Sequence, residues 1–300
     1  MSPSSNSSPI AVENLTKFYG PIRGVEDISF SVDKGEIHGF LGPNGAGKTT
    51  TIRVLVGLLS PTAGSASILG NPAGSVEAKS LIGYLPANYT LYSHYRVGEY
   101  LNYLATLRGD APLLDELVTR FDLDLTRKTK ELSTGNRQKV SIVQGLMHDP
   151  EVVIADEPTS GLDPLMQAEF EKVIQEFSKR GKTIFVSSHI LAEVQDICTK
   201  VTVVREGRLV NSGRVDQLLE QVPRKAVVKQ LTGMTADSLA SELDAQVGDD
   251  NHGRLILYYT YPNKEFVRRI SAISAVEDFF LPEPSLEEYF LPLYQREPEE

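Results

Sequence analysis

The stretch Gly42-Pro43-Asn44-Gly45-Ala46-Gly47-Lys48-Thr49-Thr50 constrains this chain more than any other. It fits the phosphate-loop pattern G-x-x-x-x-G-K-[ST], and its surroundings are those the pattern needs. The apolar run Ile37 to Leu41 reads as a strand feeding the loop. Thr50 to Leu59 reads as a helix leaving it, with Ile52, Leu55, Val56 and Leu59 at helical spacing. Gly42, Gly45 and Gly47 open backbone conformations closed to other residues. The loop N–H groups and the helix N-terminus then converge on an anion. Lys48 is expected at the β- and γ-phosphates, and the Thr49 hydroxyl on Mg²⁺. The bland alternative is a glycine-rich turn that binds nothing. The agreement of strand, loop and helix weighs against it.

Length and composition bound the rest. The 300 residues suit one large domain plus a small one. No apolar run approaches the ~20 residues that span a bilayer. The start, MSPSSNSSP, lacks the basic and apolar parts of a secretory signal and reads as a short disordered tail. A single cysteine, Cys198, excludes an internal disulfide; it reads as a small packing residue on a helix. A net charge of −10 argues against general nucleic-acid binding.

Ile10 to Leu15 and Val25 to Val32 alternate apolar and polar residues and read as strands. Tyr19, between them and ahead of the loop, is a candidate to stack on a nucleotide base. His38, inside the strand that feeds the loop, reads as structural. Ser65 to Leu69 and Ile82 to Leu85 are short strands. An all-helical insert follows: Val97, Tyr100, Leu101, Leu104 and Leu107 form one apolar face ended by Gly109, and Leu113 to Phe121 form a second helix. Ser133 is a good N-cap for the next helix, and Ser133 with Gly135 makes a second anion site at its N-terminus. Val152 to Ala155, followed by Asp156-Glu157, reads as a buried parallel strand with two carboxylates at the end where ligands sit. Asp156 would hold Mg²⁺ through water, and Glu157 would orient or deprotonate an attacking water. Ser160-Gly161-Leu162-Asp163-Pro164 is a turn before another helix. The strand Thr183 to Val186 ends at Ser187-Ser188-His189, where His189 could reach a γ-phosphate. Val201 to Val204 and Arg208 to Val210 close the sheet as a hairpin.

With these pieces in order, the chain resembles the nucleotide-binding subunit of an ABC transporter over about Ile10 to Leu219. Tyr19 takes the place of the adenine-stacking aromatic. Gly42 to Thr49 is the Walker A loop, and Leu132 to Gln138 the family signature. Val152 to Asp156 is Walker B, with Glu157 as the catalytic glutamate. Ser160 to Asp163 is the D-loop, and His189 the switch histidine. The resemblance implies an α/β P-loop fold, ATP and Mg²⁺ as ligands, and head-to-tail dimers with two ATP molecules at the interface. It implies a homodimer or a paired cassette that powers a separate transmembrane subunit, placed in the cytoplasm on the inner face of the membrane. The helical insert near Ala87 to Leu107 would meet that subunit. The alternative, a soluble ABC ATPase on the ribosome or DNA, usually carries two cassettes, a long coiled coil or zinc cysteines. This sequence has none of them.

Two stretches depart from the family. Ala87, followed by Asn88, stands where a glutamine usually follows the Leu85-Pro86 pair, so Asn88 or a water substitutes there, or coupling is weaker. Thr134 and Asn136 replace a glycine and a glutamine of the signature, while Ser133 and Gly135 remain. Three divisions are expected: a tail over 1–9, a cassette over 10–222 with its helical subdomain at about 87–150, and a C-terminal α+β extension over 223–300. The extension reads β-α-β-β-α-β, which suggests a ferredoxin-like domain. Its strands are Lys225 to Leu231, Ala245 to Gly248, Arg254 to Thr260 and Ala275 to Leu281. Its helices are Thr235 to Leu243 and Glu265 to Ser274, and Asp249 to Gly253 is a polar turn. Pro284 to Phe290 resembles the closing motif of an extension common in cassettes paired with ABC-2-type membrane subunits, which mostly export.

Overall fold

The computed structural model describes residues 8–249 and 254–295. Residues 1–7 of the expected tail, 250–253 of the expected turn and 296–300 lie outside them. Pro9 is already tied into the fold: it is buried, and its carbonyl accepts the Leu69 N–H at 2.8 Å. The chain forms two compact units that divide at Arg214/Val215, ahead of the boundary expected after residue 222.

In the first unit, β1 (Ile10–Tyr19) and β2 (Ile22–Val32) form an antiparallel hairpin, extended by β4 (Ala63–Ile68) and β5 (Asn71–Pro72). Both hairpin strands are longer than the alternation suggested. The pairing of β1 with β2 shifts on either side of Leu15, and Asn14 takes a positive φ of 47°. These irregularities erase the period of two that marks a strand in sequence.

The second sheet carries the site. It comprises β3 (Ile37–Leu41), β6 (Ile82–Leu85), β7 (Val152–Asp156), β8 (Thr183–Ser188), β9 (Lys200–Arg205) and β10 (Arg208–Arg214), in the order β10-β9-β3-β8-β7-β6. All neighbours are parallel except the edge strand β10. Every residue of β3, β7 and β8 is buried, as expected of strands covered on both faces. Each such Val, Ile or Phe contributes roughly 1.5–3 kcal/mol by leaving water. Phe30, Phe40 and Phe185 pack ring on ring, the Phe30 and Phe185 centroids 5.4 Å apart. In register, Leu41 pairs with Ser188 and Asp156 with Ser187. The phosphate loop, the two carboxylates and His189 therefore leave the carboxyl ends of three adjacent strands, β3, β7 and β8, side by side, where ligands bind in open α/β sheets.

The helix after the loop, α1 (Lys48–Leu55), stops short of the expected Leu59. Gly57 causes the stop: its φ is 71°, and a Cβ there would lie 2.2 Å from Gly74 Cα. A short helix the apolar pattern did not reveal, α2 (Val76–Leu81), is capped by Ser75 and buries only Ala78. The insert contains α3 (Val97–Arg108), α4 (Leu114–Arg120) and α5 (Thr134–Leu146). Arg120 fastens α4 to α6 (Pro164–Lys179), reaching Glu169 at 2.6 Å and Glu176 at 2.5 Å. The last helix of this unit, α7 (Leu191–Ile197), ends just before Cys198. Cys198 thus caps a helix rather than lying on one. It is buried, and burial raises its thiol well above the ordinary range, so it is an unreactive packing group.

His38 is fully buried in β3. Its ring Nδ1 lies 2.5 Å from Glu36, and Nε2 lies 2.9 Å from the Thr202 hydroxyl. Burial holds the imidazole below its ordinary range, against the pull of Glu36. Burial raises Glu36, but the His38 hydrogen bond and nearby charge outweigh it and leave it lowered. Both folded values lie below the unfolded ones, so the unfolded chain binds protons first as pH falls. The stability the imidazole contributes is complete above its ordinary value of 6.5 and is lost as pH drops through the lower folded value. The melting temperature should fall between pH 7 and pH 5. His38→Gln should flatten that decline while lowering stability at pH 7.

The second unit begins with α8 (Val215–Glu220), which packs against α11 (Leu286–Gln295). That packing explains the early boundary. Between them run β11 (Arg224–Leu231), α9 (Ala236–Glu242), β12 (Gln246–Asp249), β13 (Leu255–Tyr259), α10 (Asn263–Ile270) and β14 (Val276–Phe280). The order β-α-β-β-α-β matches the reading from sequence. The sheet runs β12-β13-β11-β14, all antiparallel. Ala226, Val228, Leu257 and Tyr259 face Leu239, Phe266 and Ile270 in its core. Leu286 and Phe290 of the closing motif are fully buried.

Candidate nucleotide site

Lys48 closes the phosphate loop on itself. Its Nζ donates to the Gly42 carbonyl at 2.6 Å and to the Pro43 carbonyl at 3.3 Å. Gly47 caps α1 with a φ of 104°, and a Cβ there would lie 2.5 Å from Val25 Cγ1. Conformation and close approach both demand glycine at that position.

Glu157 faces Lys48. One carboxylate oxygen lies 3.6 Å from Lys48 Nζ, and the other lies 3.3 Å from His189 Nδ1. Three residues from three separate sequence stretches thus meet in one chain of polar contacts at the loop. Glu157 has a positive φ of 49°, a strained conformation for a non-glycine residue. Asp156, beside it, is 1% exposed. Its Oδ1 accepts the Ser187 hydroxyl at 2.6 Å, while Oδ2 is buried with no hydrogen-bond partner among the described residues. Burial and the Asp156 charge push the nearby Tyr84 hydroxyl up to about 12.

Tyr19 is the last residue of β1. Its hydroxyl lies 3.4 Å from the Thr50 hydroxyl, and the residue is 41% exposed. Sequence reasoning missed Gly24, which gives that ring its space: a Cβ there would lie 2.9 Å from Tyr19 Cε2. No pattern pointed to it, because its role is the absence of a side chain. The cleft is lined by Tyr19, Ile22, Arg23, Gly24, Pro43 to Thr50 and Glu157.

Ser133, Gly135 and Asp163 do not line this cleft. They cluster elsewhere. Ser133 caps α5 by accepting the Asn136 N–H at 3.3 Å. A Cβ on Gly135 would lie 2.7 Å from the Gly161 carbonyl, and the buried Gln138 amide donates to Pro158 at 2.8 Å. Asp163 caps α6, accepting from the N–H groups of Leu165 and Met166 at 3.1 Å. The signature and the Ser160 to Asp163 turn are therefore neighbours in one chain. Ala87 is half-buried and Asn88 exposed.

A family model described as ABC transporter matches residues 25–160. An uncharacterised ABC transporter ATP-binding protein of Synechocystis is 35% identical, the alignment covering 90% of this chain and 78% of that protein. The chain belongs to the ABC transporter ATP-binding proteins. As an ABC ATPase it binds ATP or ADP, and its hydrolysis powers a transporter. The Nod factor export ATP-binding protein I of Burkholderia orbicola is 32% identical over 97% of this ABC ATPase and 98% of its own length. A solved structure, an ATP-binding subunit of an ABC transporter, superposes with a TM-score of 0.67 at 31% identity, covering 71% of this chain and 93% of that one. These relatives do not favour a role on the ribosome or DNA. Among the described residues, no helix is long and apolar enough to cross a membrane.

Proposed function

We propose that this chain is the ATP-hydrolysing subunit of an exporter, working as a head-to-tail pair of cassettes on the cytoplasmic face of a membrane. The observation that carries the reading is the Lys48–Glu157–His189 chain at the phosphate loop. Gly42 to Thr50 cradle the phosphates, with Lys48 on the β- and γ-phosphates. Tyr19 stacks on the base. Glu157 orients the attacking water and takes its proton, and His189 steadies the γ-phosphate side of that carboxylate.

The orphaned Asp156 Oδ2 fits a hard divalent cation, which oxygen ligands satisfy. Asp156 and the Thr49 hydroxyl would hold Mg²⁺, which offsets phosphate charge when bound. Ser133, Gly135 and Asp163 lie outside their own chain's cleft. They serve the cleft of a second copy, where the α5 N-terminus presents its N–H groups to the γ-phosphate.

Export is supported by the Nod factor export relative, whose similarity runs through the C-terminal unit. We assign residues 10–214 to the cassette and 215–300 to the extension, because α8 packs against the closing helix α11. The membrane subunit docks on the insert near Ala87 to Leu107, where Tyr92, Tyr95, Tyr103 and Leu107 stand exposed. Behind them, hydroxyls of Tyr89 and Tyr100 meet at 2.8 Å, and Tyr100 donates to Gln144 of α5 at 2.8 Å. Movement at the docking face thus has a polar path to the signature helix. Tagged Glu157→Gln, loaded with ATP and drawn from gently solubilised membranes of its native host, should bring down a polytopic membrane protein in near-equal amount. Ribosomal subunits or DNA without a membrane protein would overturn the reading.

A further inference from the structure

We infer that Ser187 is a positioning residue that sets both carboxylates of the site at once. The inference rests on the ATPase reading above. Ser187 is fully buried at the end of β8, in register with Asp156 of β7. Its hydroxyl donates to Asp156 Oδ1 at 2.6 Å. With that proton committed, the hydroxyl oxygen turns a lone pair to the Glu157 N–H, 3.2 Å away. The Ser187 carbonyl accepts the same N–H, also at 3.2 Å. One residue therefore fixes which oxygen of Asp156 remains free and holds Glu157 in its left-handed backbone conformation.

The arrangement has chemical consequences. Oδ2 of Asp156 is the oxygen left for a cation, because Oδ1 is occupied. Glu157 faces Lys48 and His189 from a backbone held at a φ of 49°. Alanine at 187 removes the hydroxyl and leaves the carbonyl. Both carboxylates stay in place but gain freedom, the situation of a metal ligand deprived of its outer partner.

The test compares wild type, Ser187→Ala, Ser187→Thr and Glu157→Gln. Mn²⁺ binding in the presence of a non-hydrolysable ATP analogue is followed by electron paramagnetic resonance, beside steady-state kinetics. Ser187→Ala should bind Mn²⁺ about 10- to 100-fold more weakly and lose kcat by a similar factor, with the KM for ATP nearly unchanged. Ser187→Thr, which keeps the hydroxyl, should recover most of both. If Ser187→Ala fails to fold, Ser187→Cys, near-isosteric with a weak donor, is measured in its place with the same expectation. Wild-type Mn²⁺ affinity and kcat in the folded variant, with only a lower melting temperature, would overturn the inference. Glu157→Gln separates the two failures: if it hydrolyses ATP at the wild-type rate, the ATPase reading of the site fails instead.

Discussion

Glu157→Gln should bind ATP as tightly as wild type and hydrolyse it about a hundredfold to ten-thousandfold more slowly, the usual range for removal of a general base. The amide keeps the carboxylate's shape but cannot take a proton. Glu157 lies 3.6 Å from Lys48 and 3.3 Å from His189, so the substitution also removes one negative charge from between two basic groups. ATP binding has no reason to weaken, because the γ-phosphate supplies charge to the same two groups. The dimer should therefore form with ATP and stay closed. Single-turnover hydrolysis and light scattering in the presence of ATP check both halves. Hydrolysis at the wild-type rate would remove Glu157 from the mechanism.

Lys48→Ala should abolish nucleotide binding at working concentrations. A hydrogen bond to a charged group is worth about 1.5–3 kcal/mol, so removing one bond to a phosphate weakens binding by roughly 10- to 150-fold. The ammonium makes more than one such bond in the role assigned to it. Stability should fall by a smaller amount, about 1–3 kcal/mol. Water can take the place of the ammonium at the exposed Pro43 carbonyl, but the buried Gly42 carbonyl, which accepts the shorter bond at 2.6 Å, loses its donor. Calorimetric titration with ATP, beside a melting curve, separates a loss of affinity from a loss of fold.

Much of the fold was legible because its signals are local. An apolar run interrupted by His38 marked the strand before the loop, and four apolar residues before Asp156 marked a buried parallel strand. Glycine spacing marked the loop between them. The β-α-β-β-α-β order of the C-terminal unit was readable from alternation and helical spacing. Signals failed where structure is set by residues remote in sequence. Helix α2 buries a single alanine, so it shows no apolar face. Helix α1 stops at Leu55, ahead of Gly57, whose positive φ ends it although the apolar spacing runs on to Leu59.

The site divides in the same way. Lys48, Asp156, Glu157 and His189 sit in recognisable stretches, and the sheet register brings them together. Ser187 and Gly24 do not stand out, since one acts by a buried hydroxyl and the other by leaving room. Ser133, Gly135 and Asp163 were found as a family pattern. Within one chain they support each other and their own helices rather than the nucleotide cleft.

That separation makes a mixing experiment the most direct test of a site shared between two copies. Ser133→Arg should block the signature, and Lys48→Ala should empty the phosphate loop; each protein alone should be inactive. In a mixed dimer, one site joins the intact loop of the Ser133→Arg copy to the intact signature of the Lys48→Ala copy. ATPase activity of the mixture is the measurement. The composite-site account predicts activity well above the sum of the two separate variants. A mixture as silent as its components, with both variants folded and able to pair, would contradict it.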